Sequence, residues 1–226
     1  DEGSPLLVEM KRIITNLQNK NSNNNLFYGL GMRYGNPSIK SILSEFKKNN
    51  ISKILVLPLY PQAGSPTSSS TLDEVTNVLS GWSWTPNLRF VNGYHDRPEY
   101  ISSLSSTIIR EPKIEHLIFS FHGMPKRYLI NGDPYFCFCH KTARLVAERL
   151  ELNKEDYTLA FQSRFGREEW LQPYIDDVII NTAKKGIRRL HVISPGFSVD
   201  CLETLEEINI QYSKLFKDNG GQELVY

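Results

Sequence analysis

The sequence predicts an α/β fold of two three-layer halves, each a parallel sheet between helices, that face each other across a central cleft. Three observations predict it. Apolar runs alternate with amphipathic runs throughout the chain, as parallel strands joined by crossover helices require. The apolar runs are rich in Leu, Ile, Val and Phe, which suits strands buried on both faces. A weak internal repeat divides the chain: "GMRYG" (Gly31 to Gly35) is followed by a helical stretch and "KILVLPLY", and "QSRFG" (Gln162 to Gly166) by a helical stretch and "RRLHVISPGF".

Taken in order, Leu26 to Met32 is expected to be the first strand, ending in the first copy of the repeat, with Ser38 to Lys48 as the helix behind it. The strand Lys53 to Leu57 leads into "PLYPQAGSPTSSST", a proline-punctuated turn with Tyr60 and a run of hydroxyls, before a helix over Leu72 to Leu79. A strand over Leu88 to Val91 precedes a helix from Pro98 to Ile109. That helix opens at "DRPE", where Asp96 supplies a cap, with an early proline and a glutamate three residues after the cap. The link between halves is expected near Arg110 to His116, giving residues 1–111 and 112–226.

The second half reads as a strand His116 to Phe121, a helix His140 to Leu150, a strand Thr158 to Gln162, a helix Pro173 to Lys185, a strand Leu190 to Ile193, a helix Val199 to Lys217 and a last strand from Glu223. The chain begins in a polar loop and stops at "GGQELVY", where a strand is starting, so residues are expected to be missing at both ends, from the first half and from the second.

With 226 residues, 40% hydrophobic and 23% charged, the composition is globular. Lys and Arg total 26 against 25 Asp and Glu, a balance that gives no reason to expect a nucleic-acid or anionic-membrane partner. No apolar run approaches the roughly 20 residues of a membrane-spanning helix, and "DEGSPLLVEM" lacks the basic start of a signal peptide. The expected location is cytoplasmic. The three cysteines, two of them in "CFCH" (Cys137 and Cys139), form neither an even disulfide set nor a spaced zinc pair, so reduced thiols are expected.

Ligands of open parallel sheets lie beyond the carboxyl ends of the strands, which selects a short set of residues. His122 follows the strand His116 to Phe121, Tyr60 follows Lys53 to Leu57, and "SPGFSVDCLETLEEI" follows Leu190 to Ile193. On a wheel of 100° per residue, Asp200, Glu203 and Glu207 share a narrow face, opposite Val199, Leu202, Leu205, Ile208, Tyr212 and Phe216. The acidic stripe reads either as a solvated face or as one wall of a site. Asp200 is the weaker functional candidate, since a first-turn carboxylate is favoured by the helix dipole anyway; Glu203 and Glu207 are like charges four apart, a mild cost that needs a reason.

His122 reads either as a strand-end imidazole bonded to backbone or as a partner of those acids, a pair that suits a divalent transition metal or a proton relay. His95, His116, His140 and His191 have weaker claims, His116 and His191 because they open strands at the far edge. Tyr34, Tyr60, Phe165, Trp170 and Phe197 all follow strand ends, where a flat apolar ligand would find ring surfaces, although core packing is the commoner fate of any one aromatic. Trp82 and Trp84 read as a surface turn packed against its own helix. No phosphate-cradling glycine motif is present, which disfavours a nucleotide enzyme.

Together "EGSPL", "LPLYPQ", "SFHGMPKRY", "GDPY", "AFQSRFGREEWLQPY" and "PGFSVDCLETLEEI", in order along nearly the whole chain, resemble ferrochelatases of the proteobacterial type. The resemblance implies two Rossmann-like halves of the chelatase type around a porphyrin cleft. It also implies a lyase that inserts ferrous iron into protoporphyrin IX, the last step of haem synthesis. By motif matching it puts His122 and Glu203 at the metal and proton-transfer site, without dividing those roles between them, and Asp200 and Glu207 on a path for iron or protons. Arg33, Tyr34, Tyr60, Trp170 and Phe197 would line the porphyrin pocket.

Such residues fit metallation, which must remove two pyrrole protons as the ion enters, from a macrocycle thought to be held bent. Animal members hold an iron–sulfur cluster through one cysteine in the tyrosine-proline loop and three near the carboxyl end. Here the loop position is Ser65, so no such cluster is expected. The family's amino-terminal lip and carboxyl-terminal helical segment lie outside these 226 residues. The resemblance implies porphyrin and ferrous iron as partners and leaves room for peripheral contact with a membrane. Two rivals stand beside it: a cobalt chelatase of the same superfamily acting on sirohydrochlorin, against which "DCLETLEEI" and "QSRFG" argue, and a non-catalytic tetrapyrrole or metal carrier.

Overall fold

The computed structural model describes residues 4–21, 25–108 and 114–226. Its contacts group into two units, one of Asp1–Leu59 with Ser65–Gly93 and one of Tyr60–Gly64 with Tyr94–Tyr226.

The first unit holds α1 (Pro5–Lys20), α2 (Ile39–Lys48), β1 (Lys53–Val56), a π-helical turn (Ser65–Ser69) running into α3 (Ser70–Ser80), and β2 (Asn87–Phe90). The strands β1 and β2 pair in parallel. Ile39 and Leu43 of α2 close over Ile54 of β1 and Val75 of α3 to make its core, with Trp82 packed at the margin. At the start of α2 the Ser38 hydroxyl accepts the Ser41 N–H, the expected serine cap. The expected strand Leu26 to Met32 does not form a ladder; only an isolated bridge joins Met32 to Ser38. An extended apolar run becomes a strand only beside a partner, and among the described residues β1 pairs with β2 alone. The first copy of the repeat therefore ends no strand.

The second unit holds α4 (Pro98–Ser106), β3 (His116–His122), α5 (Lys126–Ile130), α6 (Tyr135–Arg149), β4 (Tyr157–Gln162), α7 (Ile175–Lys184), β5 (Arg189–Ile193), a ten-residue π-helix (Glu203–Tyr212), α8 (Ser213–Asp218) and β6 (Glu223–Val225). Its four strands are parallel in the order β4-β3-β5-β6. Alternation along β3 divides the core into two layers. Leu117, Phe119 and Phe121 face α4 and α6, with Leu159 and Phe161 of β4 beside them. Ile118, Ala160, Leu190 and Val192 face α7, Ile208 of the π-helix and Phe216 of α8. This parallel sheet, covered on both sides, is what the apolar runs anticipated, whereas in the first unit β1 buries Ile54 and leaves Leu55 65% exposed, so that sheet is not buried on both faces.

Several boundaries differ from expectation for identifiable reasons. The cap of α4 is Arg97, with Pro98 opening the helix, because Asp96 is engaged in an ion pair with Lys141 at 2.5 Å. Residue 109, residues 110–113 of the expected link and the boundary at 111 lie outside the described residues. The helix α6 starts five residues earlier than expected, since the Asp133 carboxylate accepts the Tyr135 N–H at 2.9 Å and fixes its first turn. All three cysteines are free thiols.

His191 does not open its strand but lies within β5, only 3% exposed, with neither ring nitrogen hydrogen-bonded. Burial, reinforced by the Arg189 charge, lowers its pKa below the ordinary histidine value. His95, His116 and His140 are lowered too, chiefly by burial. A depressed folded-state pKa leaves full stability above the unfolded value of about 6.5 and loses it as pH falls towards the folded value, by about 1.4 kcal/mol for each unit of difference. The melting temperature should therefore fall as pH is lowered from about 7 to 5. His191→Leu should flatten that fall, and an unchanged slope would remove His191 from it.

Candidate functional site

The carboxyl ends of β3 and β4 lie side by side, with His122 opposite Gln162 in the register. By alternation His122 shares a sheet face with Ile118 and Ser120, the face covered by the π-helix, whereas Phe121 enters the other layer. The His122 ring places Nδ1 2.7 Å from the Gly123 carbonyl. A carbonyl can only accept, so Nδ1 carries the hydrogen and the neutral ring keeps its lone pair on Nε2. The Phe197 ring lies beside it, 6.3 Å away centre to centre and tilted by 48°.

The acidic segment is not the α-helix of the wheel. Asp200 precedes the helix, and from Glu203 the backbone takes the wider i→i+5 hydrogen bonding of a π-helix, a form common near functional sites. Side chains on that wider turn are displaced from their α-helical bearings. Thr204 and Ile208 are fully buried, while Leu202 and Leu205, expected to cover the sheet, are exposed. The turn is held locally by the Thr204 hydroxyl, which accepts the Cys201 N–H at 3.0 Å and lies 2.9 Å from an Asp200 oxygen. Asp200 also accepts the Tyr226 hydroxyl at 2.9 Å.

Glu203 heads the π-helix. Beside it the Cys201 thiol is pushed up to about 12, by burial first and by the Glu203 carboxylate second, so it stays a neutral donor. Leu202, Glu203, Glu206, Glu207 and Gln211 line a shallow cavity of about 230 Å3. Among the described residues no three of His, Cys, Asp and Glu gather as a ready-made metal cluster.

The carboxylate of Glu207 is bonded on both oxygens. Oε1 accepts the Ser163 N–H and the Tyr212 hydroxyl, each at 2.8 Å, and Oε2 accepts the Ser163 hydroxyl at 2.5 Å and the Gln162 amide at 3.1 Å. Burial and that carboxylate raise the Tyr212 pKa well beyond the ordinary phenol value, which keeps its proton in place to donate. Gln162 also gives its amide to the Glu203 carbonyl at 2.8 Å, and its own Oε1 accepts the Ser120 hydroxyl at 2.6 Å.

Of the residues singled out in the sequence, His122, Phe197, Glu203, Glu207 and Asp200 belong to the second unit and surround the strand ends of its sheet. Trp170 is there too, buried against Gly123, with its indole N–H unpartnered and Phe165 edge-on at 4.8 Å. Tyr60 belongs to this unit and is partly exposed. Arg33 and Tyr34 belong to the first unit, where the Arg33 guanidinium donates to the Ser70 carbonyl and hydroxyl, both at 2.9 Å, and lies 4.7 Å from the exposed Tyr34 ring. Gln162 and Ser163 were not among the candidates. A glutamine ending the apolar run "TLAFQ" was the available signal.

Comparison with known proteins adds lineage to this geometry. The family model described as Ferrochelatase matches residues 1–226. Curated relatives named ferrochelatase include those of Nitrosococcus oceani, 48% identical, Hydrogenovibrio crunogenus, 46%, and Marinobacter nauticus, 44%, each aligned over 100% of this chain. The chain spans 63%, 61% and 63% of their respective lengths. Among solved structures, SirB from Bacillus subtilis with Fe3+ superposes with a TM-score of 0.68 at 14% identity, covering 100% of this chain and 84% of that one, which is a likeness of fold.

Proposed function

We infer that this chain, which belongs to the ferrochelatase family, forms part of an enzyme that inserts ferrous iron into protoporphyrin IX to give haem. The observation that carries the reading is an imidazole with its Nε2 lone pair free, on the sheet face covered by a π-helix whose first residue is a glutamate.

Insertion exchanges two pyrrole protons for one dication, so the site must take up protons and steady positive charge in the same place. Of the two pyrrole protons, His122 Nε2 accepts one, with the Nδ1–H bond to the Gly123 carbonyl stabilising the imidazolium that forms, and the Glu203 carboxylate accepts the other and releases it to water. Glu203 neutralises the entering ion, and Asp200 and Glu207 add negative charge along its approach. Phe197, partly exposed, offers a ring surface to the macrocycle, with Tyr60, Arg33 and Tyr34 as further contacts, while Trp170, 4% exposed, backs Gly123 from within the fold. The reading includes a two-half organisation divided near residue 111, a cytoplasmic enzyme with no iron–sulfur cluster, and peripheral contact with a membrane. Among the described residues no helix is long and apolar enough to cross one.

Zinc insertion into protoporphyrin, followed by fluorescence in the full-length protein, tests the reading. Turnover beyond one equivalent is the expected result. A single equivalent bound without turnover would mark a carrier instead, and preference for sirohydrochlorin would mark the cobalt branch.

A further inference from the structure

We propose that Gln162 and Ser163 are positioning residues, which act through Glu207 to fasten the π-helix to the end of β4 and thereby fix Glu203 relative to His122. The proposal rests on the metal-insertion reading for its kinetic consequence but not for its mechanical one.

Three observations carry it. First, Gln162 is 1% exposed and stands beside His122 in the sheet, with its amide oxygen and both amide hydrogens occupied: one end reaches Ser120 of β3 and the other reaches Glu203 and Glu207 of the π-helix. The carbonyl it takes, that of Glu203, is the one an α-helix would give to the Glu207 N–H, so this contact favours the wider turn. Second, Ser163 has φ of +61°, the left-handed region that non-glycine residues rarely occupy. That backbone is where both its N–H and its hydroxyl meet Glu207, and strain of this kind gathers where the surroundings enforce it for a purpose. Third, with Tyr212 as the fourth donor, the acceptor sites of the Glu207 carboxylate are filled. A carboxylate so saturated cannot hand on a cation or proton without breaking its bonds to the strand. Glu207 works as a buckle, contributing its charge but not carrying cargo, and mobile chemistry falls to Glu203.

The test is a double-mutant cycle on the full-length protein with Ser163→Ala, Glu207→Gln and the two combined, alongside Gln162→Met. Each single change should lower kcat for zinc insertion by about tenfold, the lower end for residues that orient a site through another, with the porphyrin KM little changed. The combined variant should be no slower than Glu207→Gln alone, because both changes open the same buckle. Multiplying losses, or an unaltered kcat in Ser163→Ala and Gln162→Met, would overturn the proposal. Hydrogen exchange at the amides of residues 203–212 gives a readout that needs no turnover. Protection should drop in each variant and drop no further in the combination, whereas equal protection in all of them refutes the buckle even if the protein inserts no metal.

Discussion

Replacing His122 with alanine should abolish metal insertion while leaving porphyrin bound. The ring's Nε2 is the uncommitted base that β3 presents at its carboxyl end on the face of the π-helix, since Ser120 on the same face is fully buried and bonded to Gln162, and His116, at the opposite end of the strand, is bonded through Nε2 to the Thr158 hydroxyl. Removing a proton acceptor from the reacting centre costs on the order of 10²–10⁴-fold in rate. Stability should change little, because the imidazole is half-buried and bonds only its neighbour's carbonyl. Zinc insertion by fluorescence and porphyrin binding by titration separate the two effects. Insertion retained within tenfold would take His122 out of the chemistry, whereas loss of binding would make it a contact residue instead.

Phe121→Ala should act in the opposite way, through the fold. Phe121 is fully buried one residue before His122, in the layer made by α4 and α6. Emptying such a site costs about 3–5 kcal/mol, transfer and cavity together, against a total stability of about 5–15 kcal/mol for a protein of this kind. A urea titration should show the midpoint falling sharply with the slope unchanged. Below that midpoint the variant should still insert metal, slowed by looser placement of His122. A loss under about 1 kcal/mol would mean that the neighbouring rings collapse into the space.

What the sequence disclosed, and what it hid, follows from the range of the interactions involved. His122 and Glu203 were legible because the carboxyl edge of a parallel sheet is a place that alternation of elements locates without coordinates. The π-helix was not, because a wheel assumes α-helical bonding, and what selects the wider turn is a contact from Gln162, 41 positions away. Gln162 and Ser163 were hidden for the same reason: their partners are distant in sequence, so a polar pair ending an apolar run looked like a boundary. Leu26 to Met32 failed as a strand because local pattern states a preference for extension, whereas a strand needs a neighbour to bond. Asp96 failed as a cap because Lys141, 45 positions on, competes for its carboxylate.

The two-layered alternation of β3 limits how this segment can change length. Lengthening or shortening the strand by one residue ahead of Phe121 would invert its parity, turning an aromatic ring toward the acids and an imidazole into an oily layer that offers it no partner. Only indels in pairs keep the frame, so the segment from His116 to His122 should accept an exchange of one apolar residue for another at Leu117, Ile118 or Phe119 long before it accepts a change in number.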